Sequence, residues 1–305
     1  ALSLVQNNTT VHLSAGTYDV EHGEVFPLAL GKPGLTLVGE GVRAFVDAMD
    51  GEGSALAAQA AQNFTLRNIV FANAWHLGKN GGGLDIRNSS GCIDSCVVSN
   101  CVVSMNSQTE TTSAGGGLYF LNAAVAMTNC VIVRNGTDIT VSNNPRSHGG
   151  GLYVEGGSSV ELVCCSLVSN YLSNAAFGTW GSAAGLPING GNASLKLRNC
   201  LIVGGRRKDG SATKSALSAP YGTLVVENCT IADNVVGTGA IANLGEGFSN
   251  KATVSVVNSI LYGNGEETNG IMTVDHSLIG VDPRFRRPAK GDYRLRGGSP
   301  CIDTG

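Results

Sequence analysis

A dipeptide returns at a fixed interval through the middle of this chain. Gly83-Leu84, Gly117-Leu118, Gly151-Leu152 and Gly185-Leu186 are each 34 residues apart, and glycine triplets at 81–83, 115–117 and 149–151 complete three of the four blocks. Weaker echoes follow at Ala216-Leu217, Ala240-Ile241 and Gly270-Ile271. A second motif lies about a dozen residues downstream: Asn129-Cys130-Val131-Ile132-Val133-Arg134-Asn135, then Asn199-Cys200-Leu201-Ile202, then Asn228-Cys229 leading to Asn234. Asn100-Cys101 to Asn106, Cys164-Cys165 to Asn170 and Asn258-Ser259 to Asn264 fit the same frame. The Cys position then reads Asn68, Cys101, Cys130, Cys165, Cys200, Cys229, Ser259, with an Asn five residues on except at Gly205. Such a period is the signature of a solenoid, whose units bury their apolar faces only by stacking.

The segments between these blocks alternate like short strands. In Leu152-Tyr153-Val154-Glu155, Leu and Val face one side while Tyr and Glu face the other, and Val160-Glu161-Leu162-Val163 alternates again. Gly, Asn and Ser supply the turns. Gly is 43 of 305 residues, and charged residues are 14%. Together with the strand pattern this excludes a helix bundle, while 42% hydrophobic residues exclude wholesale disorder. The chain is expected to be all-β: a single right-handed parallel β-helix of roughly ten coils with capped ends, roughly 45–50 Å long at one strand spacing per coil. Residues 1–41 would form an N-terminal cap and first coils, 42–280 the repeat coils, and 281–305 a closing segment. A net charge of −3 without a long basic run argues against nucleic acid, and no apolar run is long enough to span a bilayer as a helix.

The Gly-Gly-Gly-Leu-Tyr blocks paired with Val-x-x-Asn endings resemble polymorphic-outer-membrane-protein repeats. Gly16-Thr17-Tyr18, Gly23-Glu24-Val25-Phe26-Pro27 and Leu35-Thr36-Leu37-Val38-Gly39 resemble the opening of a pectin-lyase-fold family of unknown function. Asp282-Pro283-Arg284-Phe285, Tyr293-Arg294-Leu295 and Ser299-Pro300-Cys301-Ile302-Asp303-Thr304-Gly305 resemble the close of bacterial β-helix proteins that continue into a surface anchor. The resemblance implies an extracellular or cell-surface location and a polysaccharide or cell-surface glycan as partner. It does not choose between adhesin and enzyme.

Nine cysteines is an odd number, so at least one thiol is unpaired within the chain. Cys101, Cys130, Cys165, Cys200 and Cys229 are expected to form an inward ladder, packed as small apolar groups in reduced form. Cys92, Cys96 and Cys301 are the better disulfide candidates. No metal or cofactor is implied, since Cys92, Cys96 and Cys101 lack a nearby His and no Asp cluster suits Ca²⁺. Sequons occur at Asn7, Asn8, Asn63, Asn88, Asn135, Asn192 and Asn228, several of them by chance in so Asn-rich a chain. Asn73, Asn106, Asn135, Asn170, Asn234 and Asn264 are expected to stack as a structural ladder at a left-handed corner.

Unequal loops, long from Asn135 to Gly149 and from Asn170 to Ala183, border the Gly-Leu-Tyr strands, and solenoids place function on such edges. Outward positions there are Asp85, Arg87, Tyr119, Tyr153, Glu155, Pro187 and Asn189, with Trp75, His76, Lys79, Arg146, His148 and Trp180 nearby. Trp75, Arg87, Tyr119, Tyr153 and Trp180 would form a sugar-binding surface. If the chain were a lyase, His148 or Tyr153 would be the base and Arg146 would neutralise a uronate. If it were a glycosidase, Asp85 and Glu155, two coils or about 9.6 Å apart, would form an inverting pair. Arg206-Arg207-Lys208, beside the break at Gly205, could grip an acidic glycan. The C-terminal cations Arg284, Arg286, Arg287, Lys290, Arg294 and Arg296 are expected to cap the rod.

Overall fold

The computed structural model describes residues 2–41, 43–78, 80–105, 112–139, 146–174, 178–186, 191–243 and 252–302, with only the main chain of 3, 112 and 178–180. One full turn of the chain comprises Leu118–Leu121, Ala124–Thr128, Val131–Val133, Gly136–Ile139 and Arg146–His148. Each strand pairs in parallel with its equivalent one turn later: Leu118 with Leu152, Ala124 with Ser159, Val131 with Ser166, Gly136 with Tyr171 and Arg146 with Gly178. Repetition builds a first sheet of nine strands, a second and third of ten, a fourth of five and a fifth of three. The molecule is a parallel β-helix, as the repeat predicts. Among the described residues the helical content is two 3₁₀ turns, Leu2–Leu4 and Pro288–Lys290, and no helix is long and apolar enough to cross a membrane.

The fourth and fifth sheets are an addition to the two or three strands per repeat that the sequence suggests. They occupy the described parts of the long loops, where Gly136–Ile139 and Arg146–His148 follow one ladder Asn and Tyr171–Leu172 and Gly178–Trp180 the next.

Inside the first three sheets, alternation puts Leu118, Phe120, Val125, Met127, Cys130 and Ile132 into one continuous core. Stacked strands lie about 4.8 Å apart, so each side chain meets its equivalent directly above and below. The glycine triplets follow from this crowding. Gly115 has φ 68°, a left-handed conformation, and a Cβ on Gly116 would stand 2.1 Å from the Gly136 carbonyl oxygen. A Cβ on Gly117 would stand 2.4 Å from the Gly151 carbonyl oxygen and 3.0 Å from the Asn135 amide.

The expected Asn ladder is present for Asn135, Asn170, Asn234 and Asn264, all buried. Asn135 donates through its main-chain N–H (3.0 Å) and Nδ2 (3.2 Å) to Asn170 Oδ1, and Asn170 Nδ2 donates to the Ile132 carbonyl at 2.9 Å. Asn234 repeats the pattern with Asn264. The left-handed residue is the one before, a column of Asn73, Asn100, Arg134, Ser169, Gly204, Asp233 and Gly263. Asn73 therefore belongs to the corner column, and Asn106 lies outside the described residues. Because Asn135 is buried in the ladder, its sequon is closed to a glycan.

Two phases of the repeat differ from the expectation. The Cys column is Cys96, Cys130, Cys165, Cys200 and Cys229, each accepting through its carbonyl from the third-sheet strand of the next turn. Cys101 stands five residues on, in the Asn column, where its N–H donates to Asn135 Oδ1 at 2.9 Å. The sequence Asn100 to Asn106 mimics the motif one sheet too late, because Val102–Met105 is a fourth-sheet strand. Likewise Leu152 pairs with Ala184, not Leu186, and Ile241 pairs with Thr268, not Ile271. All nine cysteines are free; Cys96, Cys101, Cys130, Cys165, Cys200 and Cys229 are buried, while Cys92 and Cys164 are exposed. Burial pushes the Cys96 and Cys101 thiols up to about 12. The disulfide expectation for Cys92, Cys96 and Cys301 is not met.

Leu2 and Val5 pack against the N-terminal end of the core. At the other terminus Phe285–Arg287 and Asp292–Leu295 form an antiparallel hairpin. Instead of lying across the end, it runs along the side of the rod. Phe285, Tyr293 and Leu295 pack on Val168, Leu201, Val203, Ala232, Ile260 and Tyr262 of the third sheet's outer face, and Tyr293 Oη donates to Asp233 at 2.8 Å.

Two outcomes follow from the ladders. Asn170→Ala strands buried donors on Asn135 and the Ile132 carbonyl, and should lower the unfolding free energy by about 2–4 kcal/mol. Asn100→Ala, at the corner, should shift the denaturant midpoint far less. In the native protein an alkylating reagent should modify Cys92 and Cys164 first and reach the six buried thiols only in denaturant, as peptide mass mapping would show.

Candidate functional site

The outer face of the first sheet is where the sequence concentrates its candidates. Parallel register aligns Asp85, Tyr119 and Tyr153 in one column, followed by Gly185, and Arg87, Leu121 and Glu155 in the next. These side chains meet, the charged ones half-buried and the two tyrosines away from solvent. Tyr119 and Tyr153 are each 3% exposed, with rings stacked at 6.2 Å and 10°, and cluster with Ala114 of the fifth-sheet strand Thr112–Ala114. His148, 1% exposed, stacks on Tyr153 at 6.0 Å.

The polar groups satisfy one another along the same face. Tyr119 Oη donates to Glu155 Oε2 at 2.6 Å. Arg87 Nε donates to Asp85 at 2.7 and 3.0 Å, and its guanidinium lies 4.9 Å from the Tyr119 ring centre. Burial, then Glu155, holds the Tyr119 hydroxyl protonated well above its ordinary range. Burial, helped by Arg146 and Lys214, holds His148 down to about 3, so its imidazole is neutral. Arg146 itself points to solvent. The expected sugar platform of Tyr119 and Tyr153 is thus an internal stack, and the candidate bases are enclosed. Trp180 pairs through its main chain with His148; Lys79, Pro187 and Asn189 lie outside the described residues.

The accessible features lie instead on the fourth sheet, which the sequence did not reveal. Its register aligns Trp75, Val102, Gly136, Tyr171 and Arg206 in one outward column. Trp75 occupies the edge strand and is 58% exposed, with Leu77 beside it at 53%. Together with Asp50, Glu52 and His76 they line an open cleft of about 520 Å³. His76 is anchored there by Ser54 Oγ, 3.1 Å from Nδ1. Three strands along the same column, Tyr171 lies in a second cleft of about 420 Å³, lined also by Asn100, Arg134, Ser169, Arg206, Arg207 and Lys208. Among the described residues, no group of three or more His, Cys, Asp or Glu is placed to hold a metal ion.

No protein-family model matches the sequence, and no curated protein matches it. Among solved structures the chain is similar to ORF18 of Geobacillus virus E2, at 13% identity and a TM-score of 0.49. The match covers 90% of this chain and 54% of that one, so the chain spans about half the length of the structure it matches.

The enclosed histidine sets a pH dependence. Unfolded histidine takes a proton near 6.5, whereas His148 in the fold resists until about 3. The unfolded chain binds more protons between those values, so stability is full above 6.5 and drops as pH falls. The drop should reach up to about 1.4 kcal/mol per pH unit, and His148→Gln should remove that part of the slope in denaturation curves. An unchanged slope would contradict the assignment.

Proposed function

We propose that this chain is the β-helix module of an extracellular or surface-displayed protein, and that it binds a polysaccharide along the fourth sheet without turning it over. The observation that carries this reading is Trp75. A large indole left 58% exposed beside Leu77 is costly in a chain this well packed, and such patches mark contact surfaces. Its cleft offers an apolar face for the C–H side of a sugar ring and two carboxylates, Asp50 and Glu52, to accept sugar hydroxyls. The column running from Trp75 to Tyr171 and Arg206 suits an extended ligand lying along the rod.

The enzymatic alternative places chemistry at His148, Tyr153, Arg146, Glu155 and Asp85. A base must come within hydrogen-bond reach of the proton it removes. His148 and Tyr153 are enclosed, Glu155 is engaged by Tyr119 and Asp85 by Arg87, an arrangement that supports packing over proton transfer.

Affinity electrophoresis of the purified protein through gels holding neutral and uronate-containing polysaccharides tests the proposal. At least one polymer should retard the protein, and Trp75→Ala should weaken that retention about tenfold, the loss of about 1.4 kcal/mol usual for an aromatic anchor. Neither new reducing ends nor unsaturated uronate should accumulate. Turnover of any polymer, or retention that ignores Trp75→Ala, would overturn the reading.

A further inference from the structure

We propose that the cleft around Arg134, Tyr171, Arg206 and Lys208 is an oxyanion site, built to take a sulfate-ester or carboxylate substituent of a glycan. The identity of the carrier rests on the polysaccharide reading above; the oxyanion chemistry rests on the cleft alone.

The first observation is the charge. Arg134 comes from one coil, and Arg206, Arg207 and Lys208 from the coil two turns later, so four cations border one opening. The partner nearest at hand is Asp138, taken by Lys208 Nζ at 2.7 Å. Asp209 turns away to Ser211, accepting from its N–H at 2.9 Å. Arg207 is half-buried and donates to the Asn174 carbonyl at 3.4 Å, which fixes the base of the loop. Arg134 and Arg206 are exposed and make no ion pair among the described residues. Guanidinium groups are the side chains best matched to planar or tetrahedral oxyanions, through paired N–H donors.

The second observation is backbone strain. Arg134 has φ 55°, in a corner column otherwise held by Asn73, Asn100, Ser169, Gly204, Asp233 and Gly263. Those residues are small, and all but Ser169 are types that suit the left-handed region; a long side chain there gains nothing from the corner itself. What it gains is reach, since this corner carries the guanidinium to the cleft facing Arg206. Strain of this kind collects where a ligand is held.

The third observation is the floor. Tyr171 stacks on the turn below only because residue 136 is glycine, where a Cβ would stand 2.4 Å from the ring. Burial, then Asp138, raises the Tyr171 hydroxyl to about 12, so it stays a donor. Asn100 and Ser169 add an amide and a hydroxyl to the wall. The cleft, at about 420 Å³, has room for one substituted sugar unit.

The test uses the whole protein in affinity electrophoresis against a sulfated polysaccharide, a polyuronate and the unsubstituted neutral backbone, with inorganic sulfate as competitor. One anionic polymer should retard the protein at least tenfold more strongly than the neutral backbone, and the effect should weaken with added NaCl and sulfate. Which of the two it is identifies the substituent. Arg134→Asn, placing there the residue of two other corners, and Arg206→Gln should each reduce retention about tenfold, while Arg286→Gln should not. Thermal melting should show Arg134→Asn at least as stable as the parent, which separates lost binding from lost fold. Equal retention by neutral and anionic polymers, or retention unchanged in both arginine variants, overturns the site. If Trp75→Ala weakens retention and Arg134→Asn does not, the glycan reading stands and the oxyanion site falls. If only the arginine variants weaken it, the oxyanion site stands and the Trp75 platform falls.

Discussion

Everything in this molecule answers to one constraint: each residue sits about 4.8 Å from its equivalent in the next coil, in register. A column is therefore tolerable only if its side chain can stack on itself. Aliphatic residues satisfy this by dispersion, and Asn by passing an amide hydrogen bond from one coil to the next, as Asn135 does to Asn170. Charged residues satisfy it only by alternating sign, as on the second sheet, where Lys196 meets Glu227 at 3.0 Å and Arg198 meets Glu161 in the opposite direction. Cysteine is apolar enough for a buried column and small enough for a tight corner, which explains its use here without any bond between thiols.

The same constraint shows where function can enter. A regular column is already explained by its own stacking; a break in a column is not. Gly205 interrupts the Asn ladder because the Ser182 hydroxyl fills the space a Cβ there would need, 2.3 Å away. That break is structural. Gly136 interrupts a column of larger residues and makes room for Tyr171, and Arg134 interrupts a column of small ones. Arg134 and the Tyr171 that Gly136 accommodates line the same cleft.

The repeat made the fold legible, since no other arrangement lets segments of this period bury alternating faces. Phase was harder to read. Coils vary in length, and when a fourth-sheet strand such as Val102–Met105 carries the same Asn-Cys-Val-Val pattern as a third-sheet strand, spacing alone assigns Cys101 to the wrong column. Gly185-Leu186 misled in the same manner, because Ser182 and Ala183 stand where two glycines stand in the preceding coil. Exposure on the outer face was the least legible property. Alternation places Tyr119 and Tyr153 outside the first sheet, and that is where they are. Nothing in a period-two pattern reveals the fifth sheet, and it is Ala114 and His148 of its strands that convert an outward tyrosine into a buried one.

The buried stack then has its own reason to exist. The fifth-sheet strands lead into the first-sheet strands through the glycine triplets, and side chains tie the two sheets together beyond that link. His148 against Tyr153, Tyr153 against Tyr119, and Tyr119 to Glu155 make a continuous path from the fifth sheet to the first sheet's second outward column. Each member is polar at one end and apolar at its face, which lets the stack bury area while the Tyr119 hydroxyl reaches Glu155. An imidazole held neutral by burial is suited to that task and unsuited to exchanging protons with a solvent-borne polymer. The residues that look most like an active site in the sequence are thus explained by what they hold in place, whereas on the fourth sheet Trp75 and Arg206 are left exposed, and it is there that we propose binding.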